Sequence, residues 1–228
     1  MTSTRKTTRR AIGVRAGLTL PRIIEAARSL DPDALTMQAL ADHLGVDRKA
    51  LNHHVSDRDT LLALVALDAF SSTFSAVGIA SHTRWQEACR SYAHGFTHGA
   101  VAAGVLAERI RLTDAYVTKV LEPTEAVLQA MVAAGFDDET AMRALAMLTN
   151  ICLAYARDAV LASRSNTSPR AVILRGALQQ RDPAKFPTLA RIAELTTTTY
   201  DQRQLDLSID IFIAGAEAQL RSAQSTLR

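Results

Sequence analysis

The chain has 228 residues, 48% of them apolar but only 5% aromatic, with 10 glycines and 6 prolines. Abundant Ala and Leu with so few turn formers suits helices better than sheets, and the length allows a small domain beside a larger one. The formal charge of +3 is uneven: residues 1–30 hold seven basic groups against one acid, leaving −3 for the remainder. No uninterrupted apolar run is long enough to span a membrane. The N-terminus is polar and basic, without the apolar segment of a secretory leader, so a cytoplasmic location away from membranes is expected. Cys89 and Cys152 fall inside helical patterns without CxxC spacing and are expected to be reduced core residues, a disulfide being the alternative.

Residues 1–17 form a basic arm rich in Thr, Ser and Arg. Such a segment is disordered when free and can contact DNA, the alternative being a tail that aids solubility. Leu20, Ile23, Ile24, Ala27 and Leu30 then make a helical stripe, with Pro21 in the first turn where its missing N–H costs nothing. In residues 36–59, TMQALADHLGVDRKALNHHVSDRD, the apolar residues Met37, Leu40, Ala41 and Leu44 recur at i, i+3, i+4, i+7. Thr36 is placed to cap that helix and Gly45 to end it in a left-handed turn. Asp47 can cap a second helix running from Arg48 to Val55, whose Leu51 and Val55 plug into the core. The small Ala41 lets the two helices approach. Arg48, Lys49, Asn52 and His53 are left facing outward, a set suited to reading base edges and gripping phosphates. The alternative is an ordinary αα-hairpin with a solvated charged face. Ser56–Asp57–Arg58–Asp59 then start a fourth helix bearing Leu61, Leu62, Leu64, Val65, Leu67 and Phe70.

Residues 18–70 resemble the N-terminal domain of the TetR family of bacterial transcriptional repressors. Gly45, Val46, Leu51, Asn52, His54, Val55, Arg58, Leu61 and Leu62 carry the resemblance, with Asn52 where the family has an aromatic that contacts phosphate. The resemblance implies an all-α fold. A three-helix head with a helix–turn–helix would occupy residues 18–64, and a helical effector-binding and dimerisation domain residues 65–228. It further implies a homodimer on a pseudo-palindromic double-stranded DNA operator. Arg48 and Lys49 would reach base edges, Gln38 a base or phosphate, and Thr36, Asn52, His53, His54 and Arg58 phosphates.

Further along, helices are expected over 84–104, 106–112, 114–135 (with a kink at Pro123 and a cap at Gly135), 138–163, 188–199 and 203–222. Residues 164–187 read as loop-rich, with a helical piece at 170–180. The last helix has Leu207 and Ile211 on a second apolar face, and 138–163 carries a stripe of small residues. Both hold more apolar surface than one monomer needs, so they are expected to pair across a two-fold axis into a four-helix bundle, the alternative being a thicker monomer core. The resemblance implies the same interface. Candidate effector-pocket residues are Phe74, Tyr92, Phe96, Thr113, Tyr116, Asn150 and Tyr155, a few polar groups among sequestered aromatics. Plain helix cores look similar, and the family habit of sensing small molecules favours the pocket. His94 and His98 stand i, i+4, but no Asp, Glu or Cys near them in sequence completes a metal-ligand set. Tetracycline-sensing members use a histidine where this chain has Arg109–Leu112, so a tetracycline ligand is not expected.

No GxSxG, HExxH, GxxxxGK[ST] or GxGxxG motif is present, so neither catalysis nor a cofactor is expected. The expected function is a DNA-binding regulator, a repressor released by a small-molecule effector. The alternatives are a helical small-molecule-binding protein and an effector-independent DNA binder.

Overall fold

The computed structural model describes residues 17–80, 83–109, 114–165, 169–195 and 199–226, and every regular element among them is a helix. The chain divides into two compact units, Met1–Leu62 and Ala63–Arg228. Residues 1–16 of the basic arm lie outside the described residues.

The first unit is set by its caps. The Thr19 side chain accepts from Arg22 N at 3.5 Å at the start of α1 (Leu20–Arg28), which buries Ile23, Ile24 and Ala27. Thr36 Oγ1 accepts from Ala39 N at 3.0 Å and opens α2 (Met37–Leu44). Gly45 closes α2 in the left-handed region at φ 66°, and Asp47 Oδ1 accepts from Lys49 N at 2.7 Å to begin α3 (Arg48–Asn52). The second helix of this pair is shorter than its apolar spacing implies. It stops at Asn52, with His53 as C-cap, so His54 and Val55 lie in the turn beyond. Asp57 Oδ1 accepts from Thr60 N at 2.8 Å just before α4 (Arg58–Phe74).

In the second unit, α5 (Trp85–Ala103) packs mainly on α7 (Asp138–Ser165) and also on α6 (Asp114–Ala133) and α10 (Gln202–Thr226). A 3-10 turn, Gly104–Arg109, follows α5. The helix α6 continues through Pro123, and Gly135 beyond it takes φ 104°. Within 164–187 the expected helical piece is α8 (Pro169–Gln179), and a 3-10 turn (Pro183–Lys185) then leads into α9 (Pro187–Ala193), which ends earlier than its sequence pattern implies. α8 and α9 pack on each other.

Two glycines let α4 and the residues after it sit close on α5. A Cβ at Gly99 would lie 2.9 Å from both the Phe70 ring and its carbonyl oxygen, and one at Gly95 would overlap Val77. The core of this unit includes Phe74, Cys89, Tyr92, Met131, Leu148, Cys152 and Ile209, all buried. By length and composition alone, Asp138–Ser163 is apolar enough to cross a membrane, at a mean hydropathy of 1.3. A search for uninterrupted apolar runs passes over it because Arg143, Arg157 and Asp158 break the sequence. Its apolarity is that of a helix with one edge buried on α5 and other apolar side chains, Met142 and Met147 among them, exposed.

Candidate functional site

In the first unit Leu51 is fully buried and Val55 nearly so, each side chain contributing about 1.5–3 kcal/mol when withdrawn from water. That anchoring turns Arg48, Lys49, Asn52, His53 and His54 outward, and all five are exposed. Thr36 and Gln38 are exposed as well, and Gln38 Nε2 donates to Asp42 Oδ1 at 2.8 Å. Arg58 is placed differently. Its Nε donates to the Leu35 carbonyl at 2.5 Å and its Nη2 to the Pro32 carbonyl at 3.0 Å, which ties the α1–α2 loop to the first turn of α4. Asp57, beside it, is held below the usual carboxylate range by the Thr60 backbone N–H, with the Ser56 and Thr60 hydroxyls adding to the effect.

The second unit contains a cavity of about 1050 Å³. Phe70, Tyr92 and Phe96 form an aromatic wall, and α7 supplies a long edge that includes Thr149, Asn150 and Arg157. Of the sequence-derived candidates, Tyr92, Phe96 and Asn150 come together here. Phe74 stands behind the wall, fully buried, with ring centroids 5.2 Å from Phe70 and Tyr92 and 5.6 Å from Phe96. Tyr155 points elsewhere and donates to the Tyr200 carbonyl at 3.3 Å. Thr113 and the side chain of Tyr116 lie outside the described residues, as do Ile110, Arg111 and Leu112 and the side chain of Arg109.

Sequence reasoning passed over Phe70, Thr124, Thr149 and Arg157, all of which line the cavity. The signal was the four-residue repeat Leu145, Thr149, Leu153, Arg157, Leu161 along one edge of α7. Burial pushes the Tyr92 phenol above its ordinary value, so it is a neutral hydrogen-bonding group at physiological pH.

His94 acquires a neighbour that lies far away in sequence. Asp206 of α10 is 3.5 Å from its Nε2, and Gln202 Nε2 is 3.3 Å from its Nδ1. The contact continues a polar ladder between α5 and α10, formed by Gln86–Glu217 at 2.8 Å and Arg90–Asp210 at 2.5 Å. Among the described residues no three His, Cys, Asp or Glu side chains gather into a metal-binding group.

A capped helix–turn–helix in one unit, with a large aromatic-walled cavity inside an all-helical second unit, defines a helix–turn–helix protein with a ligand-binding domain. The family model described as Tetracyclin repressor-like, C-terminal domain, matches residues 80–220. The chain belongs to the TetR family of transcriptional regulators. It is similar to ActR of Streptomyces coelicolor in complex with actinorhodin, at 27% identity and a TM-score of 0.72 over 90% of this chain and 97% of that one. A possible TetR family transcriptional regulator from Streptomyces coelicolor A3(2) matches at 21% identity and 0.71, covering 87% of this chain and 98% of that one. TetR from Acinetobacter baumannii AYE matches at 18% and 0.61, covering 89% and 98%. At the last two identities the likeness is one of fold. No curated protein matches the chain significantly.

Proposed function

We propose that the protein is a homodimeric, sequence-specific DNA-binding repressor, released from its operator by a small-molecule effector held in the cavity of its second unit. In this reading residues 1–17 are a DNA-contacting arm, 18–64 the reading head and 65–228 the effector and dimerisation domain. The observation that carries it is the exposed face of α3. Arg48, Lys49 and Asn52 stand free of the core on a short helix fixed at both ends, the form in which a helix enters a major groove. Arg48 and Lys49 read base edges, while Thr36, Asn52, His53 and His54 contact phosphates and Gln38 either. With two donors engaged inside the head, Arg58 acts first as the residue that positions this surface.

The ligand-bound structures of ActR, with actinorhodin and with (S)-DNPA, support an effector role for the cavity. Effector binding then acts as a population shift, favouring an arrangement of the two heads that no longer fits the operator. The reading is tested by fluorescence anisotropy on DNA flanking the protein's own gene, with scrambled DNA of equal length as control. Saturable, salt-sensitive binding of two subunits per site, much weaker on the control, is the expected result. Equal affinity for both, followed by failure to enrich any site from a random-sequence pool, would overturn it.

A further inference from the structure

Apart from Asn150, whose amide both donates and accepts, the polar groups among the described lining residues fall into two sets. At one end Tyr92, Thr149 and Thr124 bring three hydroxyls to the lining. Thr149 Oγ1 donates to the Leu145 carbonyl at 2.9 Å, and Thr124 Oγ1 to the Val120 carbonyl at 2.8 Å. Each threonine has one proton, so both are committed to the backbone of their own helices. The 3.3 Å contact between Tyr92 Oη and Thr149 Oγ1 must then take the tyrosine proton. All three protons are used, and what remains for an occupant is oxygen lone pairs. With the hydroxyls arranged in this way, the end offers acceptors to an occupant.

The other end is the reverse. Arg157 lines the same cavity two helical turns beyond Thr149 along α7. Its Nε is 3.6 Å from the neighbouring Asp158 carboxylate, and its two terminal nitrogens have no partner among the described residues. A guanidinium only donates, and its planar fork fits a carboxylate in bidentate fashion. No Asp or Glu stands among the described residues that line the cavity. Among these described lining residues Arg157 carries the only charge, which favours an anionic occupant over a cation. Eight residues at 1.5 Å rise separate the two anchors by about 12 Å along the helix axis. Leu153 lies between them on α7, and Phe96 adds an aromatic face to the same lining, which suits a flat apolar body.

Building on the effector reading of this cavity, we infer that its ligand is an elongated aromatic acid. The carboxylate sits on Arg157, a phenolic hydroxyl donates to the Tyr92–Thr149–Thr124 cluster, and a ring system fills the span between. Arg157 is thus the residue that selects for charge, and the three hydroxyls select for a donor.

The test is calorimetric titration of the full-length protein with 4′-hydroxybiphenyl-4-carboxylate and three relatives: the 4-carboxamide, the 4-aminomethyl cation and the acid lacking the hydroxyl. The hydroxy acid should bind at least tenfold more tightly than the amide or the cation, and severalfold more tightly than the acid without its hydroxyl. Arg157→Gln should bring the acid down to the level of the amide, and Arg157→Lys should keep part of the preference. Circular dichroism establishes that both variants are folded. Nile red, a neutral dye, reports the cavity itself, and its binding should be lost in Leu128→Trp. Dye binding without preference for the acid, or a preference that survives Arg157→Gln, overturns the ligand class and leaves the effector cavity standing. Failure of both dye and acids to bind overturns the two together.

Discussion

Arg48 and Arg58 are the same residue type ten positions apart, and their surroundings give them different work. Arg48 stands exposed in the first turn of α3. Arg58 is half-buried, with its guanidinium bonded to the Leu35 and Pro32 carbonyls. Replacing Arg48 with Ala should therefore leave the melting temperature unchanged and reduce discrimination between operator and random DNA by about 1–3 kcal/mol. Arg58→Ala should lower stability itself, by about 1–3 kcal/mol, because two loop carbonyls lose a charged donor. Competition titrations and denaturant melts on both variants separate these effects. Unchanged specificity in Arg48→Ala would remove that residue from base reading. The cysteines are a residue-scale case of a different kind. Burial pushes the Cys89 thiol up to about 12 and the Cys152 thiol up to about 11. Neither forms thiolate at pH 8, so iodoacetamide should label neither in the folded protein and both in guanidinium. Labelling of the native state would contradict that burial. Since the unfolded thiols ionise near 9 and the folded ones higher, their contribution to stability is intact below pH 9. It falls as pH rises from there through the folded values.

At the scale of elements, the helix–turn–helix depends on one backbone conformation. Gly45 takes φ 66° with open space where a Cβ would go, so Gly45→Ala meets no clash and its whole cost is the left-handed backbone, about 1–2 kcal/mol. Gly45→Asn should recover part of that loss. A urea midpoint unchanged in Gly45→Ala would mean the turn does not limit the stability of the first unit. This region was legible in sequence because its determinants are local. Thr36, Gly45 and Asp47 act on groups within five residues of themselves. The end of α3 was not legible, since apolar spacing carries Val55 on the helix face. In the structure Val55 N still bonds to the Leu51 carbonyl at 2.9 Å while His54 N bonds to the same oxygen at 2.8 Å, which tightens the turn that admits the Asp57 cap of α4. The cavity was legible only in part. Tyr92 and Tyr155 look alike in sequence, and the packing of α5 against α7 and α10 decides that one lines the cavity while the other bonds to Tyr200. Arg157 was missed for the same reason. A charged residue on a long helix reads as solvated, and Arg157 keeps 58% of its side chain exposed while lining the cavity.

At the scale of the whole molecule, the apolar surface left on α7 and α10 is where the proposed homodimer would pair. These helices pack on each other, and beyond that contact α7 exposes Met147 while α10 exposes Leu207 and Ile211. Ile211 is 64% exposed and Met147 57%, on helices whose other faces are well buried. Pairing the two helices with their symmetry mates would bury this surface in a four-helix bundle. It would also hold two copies of α3 in one assembly, as operator half-sites about 34 Å apart require. Ile211→Glu and Met147→Glu each place a charge on that surface without touching the buried core. In sedimentation equilibrium the parent protein should run at twice the 24.7 kDa of one chain, and the doubly substituted protein at the single-chain mass with its helical circular dichroism retained. Operator affinity should then fall by orders of magnitude, because each head is left with one half-site and phosphate contacts add across the dimer. A doubly substituted protein that remains dimeric would move the interface to another face. One that is monomeric yet binds the operator undiminished would show that a single head suffices, and the two-fold reading of the operator would fall with it.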